Sequence, residues 1–269
     1  MNPRVIPILL YHGITASCDP RFGEWAVSPD LFAGHMDHLA AHGYTSLTVR
    51  DLVHQVFERR LELPERVVVI TFDDGFADFH AEAWPVLRRN RLDATVFVTS
   101  GAIGGTSTWL SDLGEAQRPM LTRDQIEELA AAGVEIGAHG HEHFQLDTIP
   151  GMRAWRDITM SKYALEAVTG PVTSFAYPHG YHTAGIKRMV SQAGFSGACA
   201  VKDAMSATGD DRFALARIVV RGGTDVETFG RMVRDVRRKP PGQRIVARGA
   251  WRAARRAGAE PLIRRSRNR

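Results

Sequence analysis

The chain has 269 residues, 44% of them hydrophobic and 24% charged, a balance that excludes wholesale disorder and suits a globular enzyme-sized unit. No run of about twenty apolar residues occurs, so no transmembrane helix is expected. The net charge of +4 is uneven: from Arg231 onward fourteen Arg and Lys face only Asp235 and Glu260, a net +12 that leaves the preceding residues at −8.

The first apolar run, Val5–Tyr11, is expected to be a strand. Its core, Val5–Leu10, is too short for a signal peptide, and Tyr11-His12 follows it where a small-residue cleavage site would stand. The cytoplasm is therefore the expected compartment. Ser28-Pro29 opens a predicted helix over Asp30–His42, a cap followed by proline at the first helical position, and Gly43 ends it. A strand at Tyr44–Leu47 leads to a helix over Val49–Arg59, capped by Thr48. Strands are predicted at Val67–Phe72 and Ala94–Thr99, with a helix over Ala77–Arg89 between them.

The stretch Ser100–Leu121 is rich in Gly, Ser and Thr and carries Trp109; a loop of this length inside a domain is often functional. Thr122 then caps a helix over Arg123–Ala132 that Gly133 ends. Strands at Val134–Ala138, Val172–Ala176, Gly197–Val201 and Ile218–Val220 alternate with helices at Ile158–Val168, Ala184–Ala193 and Asp225–Arg237. Lys239-Pro240-Pro241-Gly242 breaks the pattern, which divides the chain into a catalytic domain, 1–239, and a basic tail, 240–269. Two cysteines, Cys18 and Cys199, make neither a disulfide framework nor a CxxC site.

Most strands are continuous apolar runs, as in strands buried on both faces of a parallel sheet. Repeated strand–helix units imply a parallel α/β fold, a barrel or an open sheet, in which chemistry gathers at the carboxyl ends of strands. Four polar clusters fall at such ends: Tyr11-His12, Asp73-Asp74-Gly75, His139-Gly140-His141-Glu142-His143, and Tyr177-Pro178-His179-Gly180.

Adjacent aspartates after a buried strand repel, and a bound cation offsets that cost. His139 and His143, four apart, can present both imidazoles to one side. One Asp and two His with room for water suit catalytic zinc or a similar first-row ion, which lowers the pKa of its water and polarises a carbonyl. The second aspartate is then free to take the water's proton. Read singly, Asp-Asp-Gly is more often a turn, and H-x-x-x-H in a polar loop more often no ligand pair; together, in this order, they favour a metal site.

These residues resemble the polysaccharide deacetylase family, also called the NodB-homology or carbohydrate esterase 4 family. Thr71-Phe72-Asp73-Asp74-Gly75 is similar to its first motif, Gly137–His143 to its second and Phe175–Gly180 to its third, and the likeness runs over residues 7 to 230. The resemblance implies a distorted (β/α) barrel and hydrolysis of N-acetyl groups on GlcNAc-type sugars of a polysaccharide or glycan precursor. It also implies Asp74, His139 and His143 as ligands of a divalent metal, Zn2+ ahead of Co2+ or Ni2+, and Asp73 as general base. The backbone N–H of His179 would hold the oxyanion, with Tyr177 and Pro178 of the same motif beside the substrate.

The chain departs from the family pattern at three places. Ala176 stands where many relatives have an arginine that orients the base, so the base here must be oriented otherwise. His179 replaces the usual tyrosine. The Leu-x-His that supplies the general acid has no counterpart near Leu215–Arg221. His12 is the first candidate for the acid, against a structural reading in which it holds the barrel mouth; His179 is the second. His141 is expected to point away from the metal, and His182 to start a helix at the rim.

Trp109 suits stacking on a sugar ring, with core packing or a lid contact as the alternative. Trp25 has the same reading with less support. In the tail, Trp251 among Arg248, Arg252, Arg255 and Arg256 suits a basic amphipathic helix on an anionic membrane surface, against a solvated or disordered tail or a helix that neutralises the acidic body; no recognition motif favours nucleic acid. Two other functions compete: a catalytically silent carbohydrate-binding relative, and a deacylase of another acylamide or an O-acetyl ester.

Overall fold

A computed structural model describes residues 4–201 and 205–234. The expected basic tail and the domain boundary before it lie outside the described residues. Twelve strands and seven α-helices are described. In chain order they are β1 (Val5–Ile6), β2 (Ile8–Tyr11), β3 (Gly13–Ile14), β4 (Ala26–Val27), α1 (Pro29–Ala41), β5 (Thr45–Leu47), α2 (Val49–Leu52) and β6 (Val67–Phe72). After these come α3 (Trp84–Asn90), β7 (Thr95–Val98), α4 (Arg123–Ala131), β8 (Glu135–Ala138), α5 (Gly151–Thr169), β9 (Ser174–Ala176), α6 (Ala184–Gln192), β10 (Gly197–Cys199), β11 (Ser206–Ala207), β12 (Ile218–Val219) and α7 (Val226–Arg234).

Strands β10-β9-β8-β7-β6-β2-β12 form one parallel sheet, with β5 added along the first half of β6. Its two edges meet at a parallel bridge between Cys199 of β10 and Leu215, three residues before β12. The sheet thus curls into the distorted barrel that the family likeness implies, one of the two forms that the strand–helix alternation leaves open. Every residue of β6, Val-Val-Val-Ile-Thr-Phe, is buried. Alternation sorts them by face: Val67 and Val69 pack with Ile8, Leu47, Phe97, Ala176 and Leu215, while Val68, Ile70 and Phe72 pack under the helices with Leu9, Tyr11, Phe32 and Phe79. Burial of this kind stabilises at about 25 cal/mol per Å2 of apolar surface.

Local chemistry sets the helix limits. Ser28 accepts a hydrogen bond from the Leu31 N–H with Pro29 at the start of α1, and Thr122 and Gln125 form a reciprocal capping box on α4. Three expectations are corrected. The first strand breaks at Pro7, and β1 pairs antiparallel with β11 in a separate two-stranded sheet. The expected helices over Val49–Arg59 and Ala77–Arg89 each contain a π-helical segment, Val53–Glu58 and Phe79–Ala83. Helix α5 begins at Gly151, seven residues before the expected start.

The long stretch 100–121 forms two 3-10 turns, Ser100–Ala102 and Thr108–Leu113. Arg118 ties it down: its guanidinium donates to Asp78 at 2.6 Å and Glu115 at 3.0 Å and lies over the rings of Phe22 and Phe76. Among the described residues no helix is long and apolar enough to cross a membrane.

Candidate metal centre

Asp73 and Asp74 follow the last residue of β6, and His139 follows the last of β8. The backbone fixes both points: the Asp73 N–H donates to Tyr11 O, the Thr99 N–H to Asp74 O, and the His139 N–H to Val98 O. Asp74, His143 and His179 all have positive φ, at 74°, 56° and 59°. Non-glycine residues rarely sit there, and such strain collects at functional sites.

Asp74, His139 and His143 converge, with one ligand atom from each all within 4.8 Å of one another. Asp74 Oδ1 is 3.1 Å from His143 Nε2 and 3.5 Å from His139 Nε2. Those separations suit neighbouring vertices around one ion held at about 2.1 Å from each donor. The tautomer is set at His139, whose Nδ1–H donates to Ala176 O at 2.9 Å and so leaves the Nε2 lone pair facing Asp74. The donor set therefore fits a divalent first-row cation. Burial opposes ionisation of Asp74, but His139 and His143 outweigh it and hold the carboxyl well below its usual range.

Asp73 is not part of this triangle; its Oδ2 is 3.8 Å from His139 Nε2. Arg217 engages it instead, with Nη1 2.6 Å from Oδ1 and Nη2 2.7 Å from Oδ2. Arg217 is wholly buried, also donates to Thr71 Oγ1 and Ala200 O, and stands at the gap where the barrel edges meet. Burial disfavours the Asp73 carboxylate, yet Arg217 and His139 keep its pKa below the ordinary value. The Asp73 carboxylate is thus held by an arginine from the approach to β12, while the third motif carries Ala176. The one available signal was a lone arginine inside the apolar run Leu215–Val220.

The other candidates divide. The His179 ring meets His143 edge-on at 4.8 Å, and the Trp109 indole stacks on the His143 imidazole at 4.7 Å and 18°. Trp109 Nε1 and His143 Nδ1 are both buried with no hydrogen-bond partner. His12 packs edge-on against Trp25 at 5.0 Å, and its Nδ1 is likewise buried and without a partner. Burial lowers the His12 pKa against the opposing pull of Asp74 and Asp73. Tyr177 is fully buried and donates its hydroxyl to Phe213 O, and Pro178 is buried beside it. The Tyr177 side chain therefore braces the strand end, and His182 stacks on it at 4.7 Å. His141 is drawn off to Ser100 Oγ at 2.8 Å, away from the triangle, as expected.

Comparison with known proteins bears on the same residues. The sequence model of a family described as polysaccharide deacetylase matches residues 60–198, which spans both the Asp-Asp and the His-x-x-x-His motifs. YxkH of Bacillus subtilis (strain 168), named as an inferred polysaccharide deacetylase, is 25% identical over 237 residues, 88% of this chain and 78% of that protein. The poly-beta-1,6-N-acetyl-D-glucosamine N-deacetylase of Staphylococcus aureus (strain MRSA252) is 20% identical over 207 residues, 73% of this chain and 68% of that one. In fold, the chain is similar to the Streptococcus pyogenes deacetylase PplD in complex with acetate, with TM-score 0.74, 23% identity and coverage of 86% and 99%. It is also similar to IcaB from Ammonifex degensii, with TM-score 0.73, 23% identity and coverage of 85% and 97%.

Proposed function

Because the chain belongs to the polysaccharide deacetylase family, we propose that it is a metal-dependent hydrolase that removes N-acetyl groups from GlcNAc-type sugars of a polysaccharide or glycan precursor. The observation that carries this reading is the pairing of two differently prepared carboxylates. Asp74 closes a triangle with His139 and His143, and Asp73 beside it is clamped by Arg217. The name of the S. aureus relative supports β-1,6-linked N-acetylglucosamine as the first polymer to test.

Asp74, His139 and His143 would hold the ion, Zn2+ first and Co2+ or Ni2+ as alternatives, which supplies Lewis acidity toward the acetyl carbonyl and toward water. Asp73, ionised and fixed by the guanidinium fork, accepts the proton of the attacking water. The His179 backbone N–H, turned by its positive φ, serves the developing oxyanion. His12, with a free buried nitrogen, donates the proton that the leaving amine needs, and His179 is the second candidate for that step. Trp109 and His143 form one wall of the site, on which the acetyl-bearing sugar rests.

The cytoplasmic compartment belongs to this proposal, as does contact of the basic tail with an anionic membrane surface. The test is acetate release from a β-1,6-linked N-acetylglucosamine oligomer in the presence of Zn2+ or Co2+, coupled to metal analysis of the purified protein and of Asp74→Ala. About one ion per chain in the first and none in the second is expected. Equal metal content in both, or none in either, would remove the hydrolase reading.

A further inference from the structure

The two histidines of the metal triangle are held in different ways. His139 is fixed on its side away from Asp74 by the hydrogen bond from Nδ1 to Ala176 O, the usual support of a metal-ligating imidazole. His143 has no such anchor: its Nδ1 is buried without a hydrogen-bond partner, and its backbone has φ +56°. The Trp109 indole lies flat on this ring at 4.7 Å and 18°, while His139 and His179 meet it at 60° and 63°. Trp109 Nε1 is likewise buried without a partner. The plane of the second imidazole therefore depends on how the indole is packed.

Trp109 packs, with Leu110 and Leu113, against a small core of Phe22, Ala26, Phe76 and Met120 that is separate from the two barrel clusters. Arg118 joins the segments that build it. Its guanidinium lies 5.0 Å from the centres of the Phe22 and Phe76 rings and passes over Gly13, where a Cβ would come 2.7 Å from Nη2. Nη2 donates to Asp78, on the segment that continues from Asp74, and Nη1 donates to Glu115, just after the turn that carries Trp109. Glu115 also accepts the Asp19 N–H. The Arg118 carbonyl accepts the N–H of Ser107, the residue that opens the Trp109 turn, and Pro119 O accepts the N–H of Ala77.

The Arg118 side chain is only 7% exposed. A charge so placed is a weak source of stability, since apolar side chains of similar volume often serve as well. The arginine adds direction: both ends of its rigid fork are satisfied only when the Asp78 and Glu115 segments keep one spacing. We propose that Arg118 is a positioning residue of the metal centre, which acts through Trp109 to set the plane of the His143 imidazole. Its effect on turnover rests on the deacetylase reading; its effect on His143 does not.

The test uses the full chain labelled with 5-fluorotryptophan, the Trp109 19F resonance being identified by its loss in Trp109→Phe. Zinc affinity is measured alongside by chelator competition. Arg118→Met, which keeps the length of the side chain and removes the fork, should move the Trp109 resonance. It should also weaken zinc binding about tenfold, a loss of about 1.4 kcal/mol. The cycle with Trp109→Ala separates positioning from general loosening. Once the indole is gone, Arg118→Met should cost no further affinity, whereas independent effects would add. Should Arg118→Met fail to fold, Arg118→Lys, which keeps the charge and loses the fork, is read by the same cycle. An unmoved Trp109 resonance, an unchanged zinc affinity, or losses that add in the double variant overturn the proposal. Non-additive losses in a chain whose wild type releases no acetate retain the positioning role and remove the deacetylase reading.

Discussion

Arg217 grips Asp73 through two parallel hydrogen bonds, 2.6 and 2.7 Å long, between side chains that are respectively 0% and 3% exposed. Removing one partner of a buried pair leaves an uncompensated charge and costs about 3–5 kcal/mol. Arg217→Ala is therefore predicted to lower the unfolding free energy by that amount in urea titrations. Arg217→Lys retains the charge and loses the fork. It should fold, keep its metal, and lose roughly 10–100-fold in kcat, the usual cost of removing a group that orients a reacting one. Wild-type turnover in Arg217→Lys would show that Asp73 needs no such orientation.

The triangle of Asp74, His139 and His143 predicts a response to metal. A ligand at 100 times its Kd stabilises the fold by about 2.7 kcal/mol, several degrees in Tm. Differential scanning fluorimetry with and without ZnCl2 should show this rise in the wild type and none in His139→Ala. A chelator should reverse it. An equal rise in both proteins would move the binding site elsewhere.

Much of this centre could be read along the chain. Asp73 and Asp74 end an unbroken apolar strand, and His139 and His143 lie four apart after another, so each pair announces itself locally. Arg217 does not, because it meets Asp73 across 144 positions and only barrel closure brings the two together. The stacking of Trp109 on His143 was hidden for the same reason: it depends on how Arg118 folds the long loop back. Helix α5 was placed late because Pro150 precedes it without a side-chain cap, so none of the usual start signals stands at Gly151.

Gly140, between the histidines, has φ +75°, and a Cβ there would lie 2.6 Å from Asp157 Oδ2 and 3.3 Å from Pro178 Cγ. Asp157 cannot retreat without releasing the Glu142 N–H. Gly140→Ala should therefore displace the loop and weaken zinc binding by roughly 10–100-fold in a chelator competition. Gly104→Ala is the control: its φ is +70°, yet nothing lies within 4 Å of the added carbon. It should cost about 1–2 kcal/mol of stability and leave zinc affinity alone. Equal losses of affinity in both would trace the effect to general destabilisation.

His35 predicts how stability depends on pH. It is 0% exposed, stacks on Phe229 of α7 at 4.3 Å, lies 3.1 Å from the Tyr11 hydroxyl through Nδ1, and donates from Nε2 to Thr224 O. Burial lowers its pKa from 6.5 to about 4. Between those values the unfolded chain binds the proton and the folded one does not, so acid favours unfolding. The contribution of neutral His35 is complete above pH 6.5, shrinks as pH falls, and is gone near pH 4. Urea titrations should lose about 2 kcal/mol between pH 7 and pH 5, at about 1.4 kcal/mol per pH unit below 6.5. In His35→Gln, which can keep both hydrogen bonds and cannot titrate, that share of the slope should vanish. An unchanged slope would assign the acid sensitivity to other groups, His38 of the same helix first, since burial and His42 lower its pKa as well.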